Sequence, residues 1–308
     1  MKMTSRGNRF IMILSDKSSG SSILQAVLAD YPQINVLEPG NFHCESRYWM
    51  YAAAILDSVR QPPMQYSHEF PARKKWALKR LNLIMEKGKT GRVFHKNSEK
   101  SEFHAGWLEL CRSHAPVFLE KSPHHLHSRA ALELILEFRL KYSQVQTRFI
   151  GLIRNPMDTL YSMYRRWYAI PENRQFEWLR AYRNLEWMKA QVGKDLLTVR
   201  YEDLIGNPAT LGKICTFCGI EYPRGSDCFS PEPVHRWKKD PWWGFEPAQK
   251  IKRFAGRYYN LCDLVPASSL KLWPVIRLLK KPGYRLLMAR RNLKKVLKSL
   301  ESRWRGGD

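Results

Sequence analysis

The chain has 308 residues, 44% of them apolar, which suits one large α/β domain or two small ones and argues against disorder. Lys and Arg number 52 against 28 Asp and Glu, and a net charge of +24 points to an anionic ligand, a polyanion or an acidic membrane surface. The six cysteines, Cys44, Cys111, Cys215, Cys218, Cys228 and Cys262, are scattered through a chain too long to need disulfide staples, so a reducing compartment is expected.

Residues 10–14 form a continuous apolar run, short enough for a buried parallel strand, and Ile23, Leu24, Val27, Leu28 and Tyr31 recur at helical spacing. Between them lies a Ser/Gly turn. Gly20 lets the backbone approach an anion, and the opening helix supplies unpaired N–H groups and the positive end of its dipole. Hydroxyls at Ser18, Ser19, Ser21 and Ser22 add donors, and Lys17 adds a mobile charge. The order strand, loop, helix therefore predicts a phosphate-like ligand. Read as a whole chain, it leaves no room for a signal peptide or a membrane span ahead of that strand. The expectation is a cytoplasmic protein.

A second short strand is expected at residues 34–37, ending in Glu38-Pro39-Gly40. A carboxylate at a strand's C-terminal end faces the rim where open α/β sheets bind ligands, so Glu38 is a candidate general base. Residues 48–113 are read as a lid or acceptor-binding insertion, helical near 49–56 and 76–85. Its cluster of Arg73, Lys74, Lys75, Lys79 and Arg80 is either a polyanion contact or a solvated face, and the latter is favoured.

Strand character resumes at 116–120 and runs into Lys121-Ser122-Pro123, followed by a helix near 127–142. Lys121 stands where it could reach the same anion as the first loop. His124, His125 and His127 lack the carboxylates or cysteines that would complete a metal site, and an acceptor-pocket role fits one of them better. A further buried strand is expected at 147–153, then Arg154, the N-cap Asn155 and Pro156 at the head of a helix that carries Ser162. Arg154 at the strand tip and Ser162 two turns into the helix could hold one phosphate from two sides. A helix at 176–191 leads to a strand at 196–201, where Glu202 and Asp203 would cap or pair with a neighbouring loop, and Pro208 opens the next helix.

That helix holds Cys215 and Cys218 on an amphipathic pattern ending at Gly219, and without a second ligand pair a metal or redox role is not expected. The following stretch, CFSPEPVHRWKKDPWWGFEP, interleaves tryptophans with Arg236, Lys238 and Lys239, which suits a flat base, a sugar ring or a plain structural loop. A helix is expected at 247–261. The tail, residues 271–308, carries twelve Lys/Arg and two Asp/Glu, a charge of +10, with Leu286, Leu293, Leu297 and Leu300 on one helical face. It would pack on the body or meet an anionic membrane.

Four segments occur in one order: DKSSGSSIL after the first strand, LEKSPHH after a middle one, IRNPMDTLYSMYRR after the next and VRYEDLIGNP after the last. Together they resemble the sulfotransferases that use 3'-phosphoadenosine-5'-phosphosulfate (PAPS), over roughly residues 9–220. The resemblance implies a three-layer α/β/α fold with a central, mostly parallel sheet like that of P-loop NTPases. It also implies a sulfotransferase domain over residues 1–265, followed by the basic tail at 266–308.

By the same resemblance, Lys17, Ser18, Ser19, Gly20, Ser21 and Ser22 are the loop for the 5'-phosphosulfate. Arg154 and Ser162 are the 3'-phosphate site, and Tyr201 belongs to the partner segment. Glu38 is the catalytic base of the carbohydrate and tyrosylprotein branches, and Lys121 the lysine held against the transferring group. His235, Arg236, Trp237 and Lys238 fall where members close over the cofactor, matched by place and not by motif. PAPS is the implied donor, its product is 3'-phosphoadenosine-5'-phosphate (PAP), and no metal is required.

One position departs from the family. Its loops carry Lys or Arg where Ser18 stands, whereas this chain has Lys17 one residue earlier. Either the loop bulges to bring Lys17 in, or Lys121 supplies that charge, or activity is impaired. The expected reaction is sulfation of a hydroxyl on a glycan or glycolipid, with tyrosine, a small alcohol or a lipid as other acceptors. A P-loop kinase is disfavoured because Gly20 is followed by Ser21 and not by Lys-Ser/Thr. A non-catalytic polyanion binder would explain +24 but not phosphate features at several strand ends, and no nucleic-acid motif is visible.

Overall fold

The computed structural model describes residues 8–38, 45–56, 72–221 and 234–265, with isolated positions between 273 and 289. The greater part of the basic tail, with its predicted amphipathic helix, lies outside the described residues. So do Pro39 and Gly40 after Glu38, and Cys44 and Cys228. The chain divides into two compact units: Met1–Asn155 with Phe176–Val234, and Pro156–Gln175 with His235–Asp308.

The first unit is built on five parallel strands in the order β2-β3-β1-β4-β5: β1 Arg9–Ser15, β2 Ile34–Val36, β3 Val117–Lys121, β4 Gln146–Ile153 and β5 Leu196–Arg200. This is the parallel sheet the sequence predicts. Parallel strands need crossover connections, and here these carry α1 Ser21–Ala29, α2 Tyr48–Ile55, α3 Lys74–Lys87, α4 Lys100–Ser113, α5 Arg129–Lys141 and, across the boundary between the units, α6 Pro156–Trp167 and α7 Pro171–Val192. After β5 come α8 Tyr201–Gly206 and α9 Pro208–Cys218.

Helices cover both faces of the sheet, which is why the strands read as unbroken apolar runs. Side chains alternate along β1. Ile11 and Ile13 join Leu24 and Leu28 of α1 and Leu211 and Ile214 of α9 in one buried cluster. Phe10 meets Trp107 of α4 edge-on at 5.3 Å, and Trp107 lies 5.2 Å from Trp49 of α2. Each such fully buried large side chain contributes about 1.5–3 kcal/mol.

Several elements differ from the expectation, among them α8, which starts at Tyr201 where the sequence predicts the end of a strand. Helix α4 has no predicted counterpart. It opens on a capping box of Glu99 and Glu102, in which a carboxylate takes the place of the usual Ser or Thr, so the start signal is weak. Helix α7 begins at Pro171, ahead of the expected residue 176, with proline in the first turn where its missing N–H costs nothing. The predicted 247–261 helix is shortened to α10 Gln249–Ala255, capped by Gly256 and followed by a separate 3-10 turn at Leu261–Leu264.

The second unit gathers α6, α10 and the 3-10 turn Arg236–Lys239 around an aromatic core. Trp243 lies 5.1 Å from Tyr161, 5.3 Å from Tyr164 and 4.9 Å from Trp273. Trp237 and Trp243 are both buried, so these indoles serve the core, while Trp242 is exposed. On α9, Cys215 and Cys218 are also core residues. Burial pushes both thiols up, that of Cys218 to about 12, and Tyr31 Oη lies 3.2 Å from Cys215 Sγ.

Candidate active site

Because all five strands are parallel, their C-terminal ends share one edge. The connection from β1 runs to β2 on one side, whereas β4 leads to β5 on the other, so the ends of β1 and β4 flank the point where chain direction reverses. Open α/β sheets bind ligands at that point.

The loop after β1 is fixed from below. Asp16 is fully buried, and its Oδ1 accepts the N–H of Lys17 at 2.7 Å and lies 2.9 Å from His127 Nε2. Ser18 and Gly20 both adopt left-handed backbone, with φ of 62° and 85°, which turns the chain into α1. Glycine takes this conformation freely and serine does not, so the loop concentrates strain at Ser18. Ser19 Oγ lies 2.8 Å from Tyr182 Oη, which also receives the N–H of Arg154 and donates to the Leu152 carbonyl, each at 3.3 Å. Burial pushes the Tyr182 phenol up and keeps it neutral.

Arg154 follows β4 and is almost fully buried. Its Nη1 donates to the Ser18 carbonyl at 2.7 Å, its guanidinium carbon lies 4.6 Å from the Tyr201 ring centroid, and its own carbonyl accepts Trp178 Nε1 at 3.1 Å. The Tyr201 ring occupies the space where Gly20 would carry a Cβ. Glu202 Oε1 accepts the N–H of Asn155 at 3.0 Å, the pairing with a neighbouring loop that the sequence suggests, whereas Asp203 pairs with Arg200.

Lys121 ends β3 and has no exposed surface. Its Nζ donates to Ser22 Oγ at 3.1 Å and to Glu45 Oε1 at 3.3 Å. Arg47 grips the other oxygen of Glu45 through Nε at 3.2 Å and Nη2 at 2.9 Å, and His124 Nδ1 lies 3.7 Å from it. Burial alone would push the Glu45 carboxyl up, but Lys121, Arg47 and Lys17 outweigh it and hold the group below the ordinary carboxylate range. Its neighbour on β3 behaves oppositely. Burial pushes Glu120 up to about 7 although Ser122 and Ser46 donate to it, the latter at 2.7 Å. Burial also drives the adjacent His125 down to about 3, so that imidazole is neutral.

The structure thus brings Lys17, Ser18, Ser19, Gly20, Ser21, Ser22, Lys121, Arg154 and Tyr201 to one edge of the sheet. Glu38 stands at the end of β2 on the same edge and is exposed. In the second unit, Ser162 is half-buried on α6. There the N–H of His235 donates to Asp158 Oδ1 at 2.7 Å, Lys238 pairs with Asp263 at 3.2 Å, and Arg236 is exposed. Sequence reasoning missed Asp16, Glu45 and Tyr182. Their partners lie far along the chain, and only the "DK" ahead of the serines hinted at Asp16.

A sulfotransferase family model matches residues 11–224, and the chain belongs to that family. It is a sulfotransferase, and PAPS is the donor typical of the family. No curated protein gives a significant match. Among solved structures, the sulfotransferase domain of the Synechococcus olefin synthase aligns with a TM-score of 0.55 at 18% identity, covering 84% of this chain and 98% of that one. The sulfotransferase domain of the curacin biosynthetic pathway aligns with a TM-score of 0.53 at 17% identity, covering 82% and 98%. At such identities the likeness shows the fold.

The residues fit a phosphosulfate. A helix start after a Gly turn, a buried lysine on its first turn and a buried arginine on the loop carbonyl are the donor set that such an anion requires. Among the described residues, no group of three or more His, Cys, Asp or Glu could hold a metal ion, and no helix is long and apolar enough to cross a membrane.

Proposed function

We propose that the protein transfers a sulfuryl group from PAPS to a hydroxyl of a glycan or glycolipid. The observation that carries the donor half is the Lys121 ammonium 3.1 Å from Ser22 Oγ, a cation from one strand end placed on the phosphate loop of another. On this reading Lys121 supplies the charge that the family loop carries at the position of Ser18.

Bound PAPS supplies the sulfuryl group and a nucleotide leaving group. The chain's own residues do the rest. Lys17, Lys121 and the first N–H groups of α1 oppose negative charge as it builds, and one such preplaced donor is typically worth about 3 kcal/mol. Arg154 binds the remote 3'-phosphate and so positions the reacting centre. Glu38, exposed at the end of β2, takes the acceptor proton as general base as the acceptor oxygen bonds to sulfur.

The glycan assignment is supported by the net charge of +24, suited to anionic carbohydrate, and by the exposed Trp242 indole in a basic loop. Its test is transfer of labelled sulfate from PAPS to acidic oligosaccharides, tyrosyl peptides and simple alcohols in parallel. Preference for the oligosaccharides is expected, and a preference for either other class would replace the acceptor. Glu38→Gln should lose turnover on the preferred acceptor while its affinity for PAP is unchanged.

A further inference from the structure

Glu45 is an unexpected neighbour for an anion-binding loop. A buried carboxylate there repels the phosphosulfate that the loop is built to hold, yet it is clamped in place. Arg47 takes one oxygen through two N–H groups, and the other accepts from Lys121 at 3.3 Å. The two partners differ in freedom. The carboxylate is fixed by a planar guanidinium, whereas the ammonium sits on a four-carbon stem with three rotatable donors. An ammonium with no exposed surface also needs a counter-charge, and Glu45 provides one at 3.3 Å.

Resting on the PAPS reading above, we propose that Glu45 is a positioning residue that stands in for the donor's anion. In the nucleotide-free enzyme it neutralises Lys121 and keeps it at Ser22, and it competes with the phosphosulfate for that lysine. Binding then exchanges one anionic partner of Lys121 for another, and the buried ammonium is compensated throughout. The low proton affinity of Glu45 beside Lys121, Arg47 and Lys17 fits this role, since the group stays ionised.

The sign of the effect separates this role from a structural one. Removing a residue that merely supports the site weakens nucleotide binding. Removing a competitor strengthens it. Glu45→Gln should bind PAP about tenfold more tightly than wild type, the size of a typical coupling between two ligands of one group. In a Lys121→Met background the same change should leave PAP affinity unaltered, because the contested cation is gone.

The experiment is calorimetric titration of PAP into wild type, Glu45→Gln, Lys121→Met and the double variant. Wild type that fails to bind PAP overturns the PAPS reading and this proposal together. Wild type that binds, with Glu45→Gln equal or weaker, overturns the proposal alone. Tightening that persists without Lys121 does so as well, since it reports only the lost negative charge. If Glu45→Gln does not fold, Glu45→Asp keeps the charge and withdraws it from Lys121. Tighter binding by that variant supports the proposal, and equal or weaker binding refutes it.

Discussion

The Tyr201 ring fills the space where a side chain on Gly20 would stand, and Arg154 lies over the same ring with its guanidinium carbon 4.6 Å from the centroid. The loop after β1, the tip of β4 and the start of α8 are thus locked through one aromatic side chain. Gly20 also has φ of 85°, a conformation that any Cβ makes costly. Gly20→Ala should therefore displace Tyr201 and Arg154 and lower PAP affinity by at least tenfold. The fold should persist at a lower melting temperature, because Tyr201 is only one member of the large buried cluster that joins the sheet to α1 and α9. Titration of PAP beside a thermal melt reads both effects.

Lys121→Met tests the cation directly. Methionine keeps the length of the stem and removes the charge, while Glu45 retains Arg47 as its partner. Loss of one preplaced charge at the reacting group is expected to cost about 3 kcal/mol, roughly a hundredfold in kcat. Steady-state kinetics with saturating PAPS would show it, and a variant within a few-fold of wild type would remove Lys121 from the transferring group.

Glu120 predicts a particular pH dependence of stability. Its carboxyl is near 7 in the folded protein against an ordinary 4.5, because burial disfavours the charged form. Between those values the folded state holds a proton that the unfolded state has lost, so stability from this group falls as pH rises from about 4.5 to 7 and is flat above. The drop is on the order of 3 kcal/mol. Glu120→Gln can still accept from Ser46 and Ser122 but cannot ionise, so it should gain stability over wild type at pH 8 relative to pH 5. Chemical denaturation at the two pH values measures the difference.

The sheet is legible in the sequence because each strand is buried on both faces and so reads as a short apolar run. Four of the five runs end in a charged or hydroxyl residue that the topology then brings to one rim: Ser15, Lys121, Arg154 just beyond β4, and Arg200. Helix α4 is hidden by Gly106 in its interior and by a carboxylate at its N-cap. Glu45 is hidden for a different reason. Its segment has no periodicity, and its partner Lys121 is 76 residues away, so their meeting is set by β3 lying beside β2, the strand that precedes Glu45, which no local pattern records. Tyr182 is similar. It reads as one more apolar position of a long helix, and only the fold shows its hydroxyl beneath Ser19 at 2.8 Å.

The donor class is the central claim, and titration of PAP into wild type and Arg154→Ala tests it most directly. In the proposed site Arg154 holds the remote phosphate, and its Nη1 ties the loop through the Ser18 carbonyl at 2.7 Å. Micromolar or tighter binding by wild type, lost by at least a hundredfold in the variant, is the expected result, since charge-assisted contacts to phosphate are among the strongest that a side chain makes. Wild type that ignores PAP, or a variant that binds as wild type does, would contradict it.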